Sequence, residues 1–375
     1  MKILHLLYES RGDSYGMGGV GERAYQIYHR LKSRHDITIL CKKYPGARDG
    51  MIDGLRHVFA GAESRSLTRT LLSYAFHAAR YARLHARDYD VVIEEFSPAT
   101  PTFLHRLRGT PVILQIQGYT GRLYFKKYNP LYASTLCLFE RIRPPLYRNF
   151  IFIDGHTSGR FSLSGEALTR IIPNGVPPEL MEGACTDGGY ILYLGRIDIF
   201  GKGLDLLLEA YQAYRQGPGA AAALDLVIAG DGRDMDRLKQ MLAAMPSRTR
   251  DHITLTGWVS GRAKTEILRK ASFFVLPSRH EVQGISVLEA MAAGKAVITS
   301  DIPELAYAAA DQAGICFATG DSGSLAEAMT VMASDTNREL MGMKGKVWVR
   351  DLSWEKVAGR FEDFLATVAK ERTGG

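Results

Sequence analysis

Short apolar, β-branched runs alternate along this chain with longer stretches in which apolar residues return every three or four positions. The runs at 2–7, 37–40, 91–93, 112–116 and 150–153 read as strands in the first half. Those at 190–194, 224–229, 252–255, 273–276, 296–299 and 314–317 read as strands in the second. Strands separated by helical patterns form βαβ units, and βαβ units form parallel sheets. In one intervening helix Leu67, Leu71, Tyr74, Ala78 and Tyr81 fall on one face, while Arg65, Arg69, Arg80, Arg83 and Arg87 lie elsewhere with no acid among them. The pattern breaks at Pro173-Asn174-Gly175-Val176-Pro177-Pro178, which neither a helix nor a central strand can cross. An α/β chain of two Rossmann-like, doubly wound domains is expected, 1–172 and 173 onward. Their C-terminal strand edges, where open sheets place ligands, are expected to face a central cleft.

Composition supports two cores, since 46% of the 375 residues are apolar. No run approaches the roughly 18 apolar residues of a membrane span, and the apolar start is too short for a signal peptide, so a cytoplasmic protein is expected. Cys41, Cys137, Cys185 and Cys316 are far apart and lack metal-ligand spacing, which predicts reduced thiols. The net charge of +7 is uneven: residues 1–172 hold 25 Lys and Arg against 14 Asp and Glu, the remainder 22 against 26. Either the first half meets an anionic partner, or its Arg-rich helices simply face water.

Two segments have the makings of a site. The run 190–194 leads into Gly195-Arg196-Ile197-Asp198-Ile199-Phe200-Gly201-Lys202-Gly203. Arg196 can fork two phosphate oxygens and Lys202 can act as a point charge, beside glycines that let the backbone approach a diphosphate. The alternative is a glycine-capped turn with two solvated cations. The second segment, 277–290, places Gly284 at a helix start, so that the N–H groups of Gly284, Ile285 and Ser286 would face a phosphate. Glu289, four residues beyond Ile285, shares that face and can reach a ribose diol; Glu281 precedes the helix and can accept from sugar hydroxyls. Alternatively both glutamates are exposed, and Glu281 only complements the helix dipole.

Glu281 and Glu289 with seven residues between them, then Ala290-Met291-Ala292-Ala293-Gly294-Lys295, resemble the retaining glycosyltransferases of family four, which have the GT-B fold. Gly195-Arg196…Lys202-Gly203, Pro173-Asn174-Gly175-Val176, Gly230-Asp231-Gly232 and Gly18-Gly19-Val20 extend the resemblance over nearly the whole chain. Leu352-Ser353-Trp354 resembles the start of the family's final helix. The resemblance implies a donor domain at 173–350 and a helix at 351–375 that crosses back to the N-terminal, acceptor-side domain. It implies that Arg196 and Lys202 hold the donor diphosphate, Glu289 the ribose and Glu281 the transferred sugar. Gly257, Trp258 and Val259 would begin the base-binding loop, and Gly18 and Gly19 would approach the donor phosphate and the acceptor.

The chain departs from the family at three places. Gln117-Gly118 stands where many relatives carry a His, one extra residue separates Arg196 from Lys202, and Pro177 replaces a usual Asp. Gln117 cannot be a general base, but it can bind a sugar hydroxyl or position an acceptor. Asp88-Tyr89-Asp90 and Asp234-Met235-Asp236 are lone D-x-D matches in the wrong places for a metal, so no metal or other cofactor is expected. The expected function is transfer of a sugar from a nucleoside diphosphate sugar to an acceptor hydroxyl with retention. The acceptor would be a small molecule, a glycan or a lipid-linked glycan. Basic residues interleaved with aromatics (Arg122, Tyr124, Phe125, Lys126, Lys127, Tyr128, Phe139, Arg141, Arg143, Arg148) point to an anionic membrane or a lipid-phosphate acceptor as partner rather than nucleic acid. An epimerase or phosphorylase of the same architecture and a non-catalytic nucleotide-sugar-binding subunit are the competing readings.

Overall fold

The computed structural model describes residues 1–10, 18–64, 66–183, 186–217, 223–309 and 312–371. Arg65 and Cys185 lie outside them. The described chain forms two compact units, Met1–Asn174 with the segment from Trp354 onward, and Gly175–Ser353.

The first unit holds an eight-stranded sheet. Its strands are β1 (Lys2–Leu7), β2 (Asp36–Lys42), β3 (Gly50–Ile52), β4 (Leu55–Ala60), β5 (Val91–Glu95), β6 (Val112–Ile116), β7 (Asn149–Phe152) and β8 (Leu168–Ile171). They are ordered β3-β4-β2-β1-β5-β6-β7-β8, and only β3 runs antiparallel. The second unit holds β9 (Tyr190–Leu194), β10 (Asp225–Ala229), β11 (Ile253–Gly257), β12 (Phe273–Leu276), β13 (Val297–Ser300) and β14 (Gly314–Phe317). Their order, β11-β10-β9-β12-β13-β14, is that of a doubly wound dinucleotide-binding sheet. Strand order therefore reverses beside β1 and β5 in the first unit and beside β9 and β12 in the second. At each reversal the connections leave to opposite faces and open a crevice at the C-terminal strand ends. Helices cover both sheet faces, which is why these strands read as unbroken apolar runs.

Every strand read from the sequence is present, with ends shifted by no more than about two residues, the usual scatter of boundaries. The sequence reading missed β3, β4 and β8 because β3 and β8 are short edge strands largely open to solvent, and β4 mixes Arg56 and His57 into its run. The helix Leu67–His85 forms, but its buried face differs from the one expected. Thr70, Tyr74, Ala75, Ala78, Ala79 and Ala82 face the sheet, whereas Leu67 is exposed and Leu71 and Tyr81 are half-buried. Apart from Tyr74 that face is made of small residues, which let the helix lie close to the sheet, while Leu72, Phe76 and Leu84 are left outside.

The helix Trp354–Glu371 belongs to the first unit and packs on Gly19–Leu31 through Trp354, Phe361, Phe364 and Leu365. Arg30 and Glu355 pair at 2.7 Å along the same contact. Beneath it, fully buried Arg23 donates to the carbonyls of Ile172 (2.8 Å) and Pro173 (2.7 Å) and to Asn174 Oδ1 (3.2 Å). One guanidinium thus ties the helix that begins at Gly19 to the segment leading into the second unit. Burial pushes its pKa down to about 10, which still leaves it charged at neutral pH.

Candidate functional site

In the second unit the two sequence segments converge at the reversal between β9 and β12. Buried Tyr193 of β9 donates from its hydroxyl to the Arg196 carbonyl at 2.9 Å, and Gly195 N–H bonds to Ala229 O at 3.0 Å. Gly230 has φ 144° and lies so close to Gly195 that a Cβ there would collide with the Gly195 carbonyl. Asp198 caps the single turn Ile199–Lys202 by accepting from Gly201 N–H at 3.0 Å. Asp234 accepts from Ile199 N–H at 2.9 Å, so one acid of the second D-x-D match braces this loop. Lys202 ion-pairs with Glu281, while Arg196 is exposed and its side chain forms no hydrogen bond or ion pair with the described residues.

The joint between the segments rests on Gly203 of the first motif and on Arg279, Asp205 and Ser278, to which the sequence reading gave no role. Gly203, at φ 67°, packs against the Pro277 carbonyl with no room for a Cβ. Arg279 forks Asp205 at 2.7 and 2.8 Å, and its guanidinium stacks 4.8 Å over the Phe200 ring. Ser278 Oγ donates to Glu281 at 3.0 Å. Glu281 is therefore buried and held by a serine and a lysine from two loops, which rules out the exposed alternative.

The helix Ile285–Ala292 starts after Gly284, whose φ is 63°, and no side chain caps it. Its first backbone bond runs from Val287 N–H to Gly284 O at 2.9 Å, so the N–H groups of Ile285 and Ser286 lie before the intrahelical ladder. Tyr307 donates to the Gln283 carbonyl and holds the approach to this turn. Glu289 is buried as well, and Lys264 of the helix Gly261–Lys270 lies 2.6 Å from it. Nothing local announces Lys264, because its partner is on another helix. Gly257, which ends β11, has φ 70°, and in the loop before that helix Trp258 is 70% exposed and Val259 packs on the core.

In the first unit, Gly18 and Gly21 N–H donate to Glu9 Oε2 at 2.9 and 2.7 Å. The start of Gly19–Leu31, which the family resemblance gives to a donor phosphate, therefore has a carboxylate against it. Gln117, just past β6, is buried and donates from Nε2 to Glu95 Oε1 at 2.8 Å. Asp88 lies in a turn before β5, and Asp90 accepts from Lys2 N–H at 2.7 Å, at the strand-start edge of the sheet. Among the described residues no three His, Cys, Asp or Glu side chains are grouped to hold a metal ion. Arg143, grouped by sequence with surface cations, is fully buried and ion-paired with Glu94. Its place in the cationic face is thereby overturned.

Residues 18–153 match the family described as "Glycosyl transferase 4-like domain", and residues 188–335 match "Glycosyl transferases group 1". The chain is 28% identical over 328 residues to phosphatidyl-myo-inositol mannosyltransferase of Mycobacterium leprae, covering 81% of this chain and 80% of that one. It is 27% identical over 279 residues to GDP-mannose:cellobiosyl-diphosphopolyprenol alpha-mannosyltransferase of Xanthomonas campestris, covering 71% and 70%. Among solved structures, sucrose-phosphate synthase of Thermosynechococcus elongatus superposes with a TM-score of 0.80 at 19% identity, over 99% of each chain. HepE of Anabaena, in complex with UDP and glucose, superposes at 0.73 with 15% identity, over 98% of this chain and 100% of that one.

Proposed function

Because the chain belongs to the glycosyltransferases of family four and has their GT-B fold, we propose that it moves a sugar from a nucleoside diphosphate sugar to an acceptor hydroxyl, retaining the anomeric configuration and using no metal ion. The observation that carries this reading is the pairing of Lys202 with Glu281 at the reversal of the second sheet, on the loop that also carries Arg196. Arg196 and Lys202 stabilise the departing diphosphate, aided by the N–H groups of Gly284, Ile285 and Ser286. Glu289 binds the ribose, and Gly257, Trp258 and Val259 take the base. Glu281 orients the transferred sugar, and Gln117 is assigned to bind a sugar hydroxyl or position an acceptor. The bond from the anomeric carbon to phosphate breaks as the acceptor oxygen bonds to the same face, and the acceptor proton passes to the leaving phosphate oxygen. That route needs neither a carboxylate nucleophile nor a titrating base, so it accommodates Gln117.

Donor binding is tested by thermal shift with GDP-mannose, UDP-glucose, ADP-glucose and their nucleoside diphosphates. The matching ligand at about 100 times its Kd should stabilise the protein by roughly 2.7 kcal/mol. Glu289→Gln should lose most of that shift for the nucleotide alone. GDP-mannose is the first donor to try, because it stands in the name of the Xanthomonas relative. An isomerised donor with no nucleotide released would identify an epimerase; binding without turnover would identify a binding subunit.

The acceptor is proposed to be lipid-borne, in line with the phosphatidylinositol and diphosphopolyprenol named for the relatives. No described helix is long and apolar enough to cross a membrane. Peripheral docking of a cytoplasmic enzyme would serve instead. The outer face of Leu67–His85 exposes Leu72, Phe76 and Leu84 beside Arg69 and Arg80. The segment from Tyr124 to Ile142 exposes Phe125, Tyr128, Leu131 and Leu138 beside Lys126, Lys127 and Arg141. The two adjoin, since Arg83 donates to Thr102 O at 3.1 Å and the neighbouring Phe103 ring meets Phe139 at 5.9 Å. Each cation near an anionic leaflet contributes about 1 kcal/mol, and aromatic rings suit the interface. Co-sedimentation with phosphatidylglycerol vesicles, weakening as salt rises, is expected, and none with phosphatidylcholine. No binding to anionic vesicles at low salt would favour a soluble acceptor.

A further inference from the structure

In the second unit the turn at Gly284 is shaped by a neighbouring one. After β13 the chain makes the short turn Pro303–Ala308, and two of its side chains press on Gly284. Leu305 Cδ2 fills the space that a Cβ would need there, 2.9 Å from where it would stand. The Tyr307 hydroxyl donates to the Gln283 carbonyl and lies 3.4 Å from that of Gly284. Behind it the Tyr307 ring stacks on Trp348 of the helix Arg338–Val349, with centroids 5.1 Å apart and planes at 16°. Burial, and then the Glu281 charge, hold the phenol well above its ordinary pKa, so it stays a donor.

A trans peptide points its carbonyl and its N–H in opposite directions. The Gln283 carbonyl and the Gly284 N–H belong to one peptide, the Gly284 carbonyl and the Ile285 N–H to the next. Tyr307 engages the first carbonyl, while the second accepts from Val287 and Leu288 N–H at 2.9 and 3.2 Å. The N–H groups of Gly284 and Ile285 are therefore aimed away from those partners, and among the described residues neither has a hydrogen-bond acceptor. The second peptide is locked into the helical ladder. The first can turn over, because glycine, here at φ 63°, permits either sign of φ. A turned peptide would set a carbonyl oxygen against the diphosphate and withdraw a donor.

We infer that Tyr307 is a positioning residue whose hydroxyl holds the 283–284 peptide with the Gly284 N–H toward the donor phosphate and prevents the flip that glycine permits. The inference rests on the reading of Gly284, Ile285 and Ser286 as phosphate donors, and it concerns the second unit alone. A turn that spends only part of its time in the binding conformation loses affinity in proportion to that fraction. Tyr307 keeps the fraction near one before a ligand arrives. The N–H then meets the charge that develops on the leaving diphosphate without reorganisation.

The test is titration calorimetry of the full chain with GDP, UDP and ADP, each against its free nucleoside. Wild type should bind one diphosphate more tightly than its nucleoside. Tyr307→Phe, which keeps the ring on Trp348, should lower affinity for that diphosphate roughly threefold to tenfold, the difference expected from one hydrogen bond, and leave affinity for the nucleoside unchanged. Trp348→Phe disturbs the same packing but keeps the hydroxyl, so it should retain the wild-type ratio of the two affinities. A merely structural role for Tyr307 would lower both affinities together in Tyr307→Phe, or would cost Trp348→Phe the same ratio, and either result would overturn the inference. So would an unchanged ratio in Tyr307→Phe. Those three outcomes leave the phosphate site standing. No preference for any diphosphate in the wild type would remove the site itself and, with it, the inference.

Discussion

Arg196→Ala and Lys202→Ala are each expected to lower turnover on the nucleoside diphosphate sugar by about 10²–10³-fold, the usual loss when a fixed electrostatic group is removed from developing negative charge. Affinity for the nucleoside diphosphate should fall by the roughly 1.5–3 kcal/mol of a charge-assisted bond, while affinity for the free nucleoside stays. The two variants should differ in one respect. Among the described residues Arg196 has no partner to strand, so its loss is confined to the diphosphate. Lys202 also neutralises buried Glu281, and removing it leaves that carboxylate uncompensated. Adding Glu281→Gln to Lys202→Ala should therefore cost less than the sum of the single variants. Single-turnover rates and calorimetry on all four proteins check this. Unchanged diphosphate affinity in both alanine variants would remove these residues from the site.

Arg143→Ala is expected to cost about 3–5 kcal/mol of stability, as when one member of a buried ion pair is removed. That is a large share of the roughly 5–15 kcal/mol by which domains are stable. The guanidinium sits between the Phe96 and Phe103 rings, at 5.2 and 5.6 Å, and donates to Ser97 O at 2.7 Å. Its partner Glu94 also accepts from Tyr147 at 2.6 Å and from Thr102. Alanine would leave Glu94 charged and buried beside a cavity. Arg141→Ala, two positions away but exposed, should change stability by less than about 0.5 kcal/mol, as surface substitutions usually do. Denaturant melts of the two variants separate them; equal midpoints would show that the buried pair contributes little.

Arg141 and Arg143 show where sequence stops being informative. Both read as members of one cationic run, and only the packing of a distant strand end, Glu94, takes one of them inside. The helix Leu67–His85 shows the same limit. Its period was legible, but which face it buries depended on how closely a small-residue stripe lets the helix approach the sheet.

By itself the sequence determined the parallel strands, the helices between them and the glycine-flanked loops that carry Arg196, Lys202, Glu281 and Glu289, because backbone geometry and apolar periodicity are local properties. Only the tertiary structure decided which of those charges meet. It paired Lys202 with Glu281 and Glu289 with Lys264, fastened the two loops through Arg279 and Asp205, and turned Gln117 on Glu95. These partners are separated by between 22 and 79 positions. The energy of a charge or an amide depends on what lies within a few ångströms of it in space, and strand order, not sequence distance, brings those neighbours together.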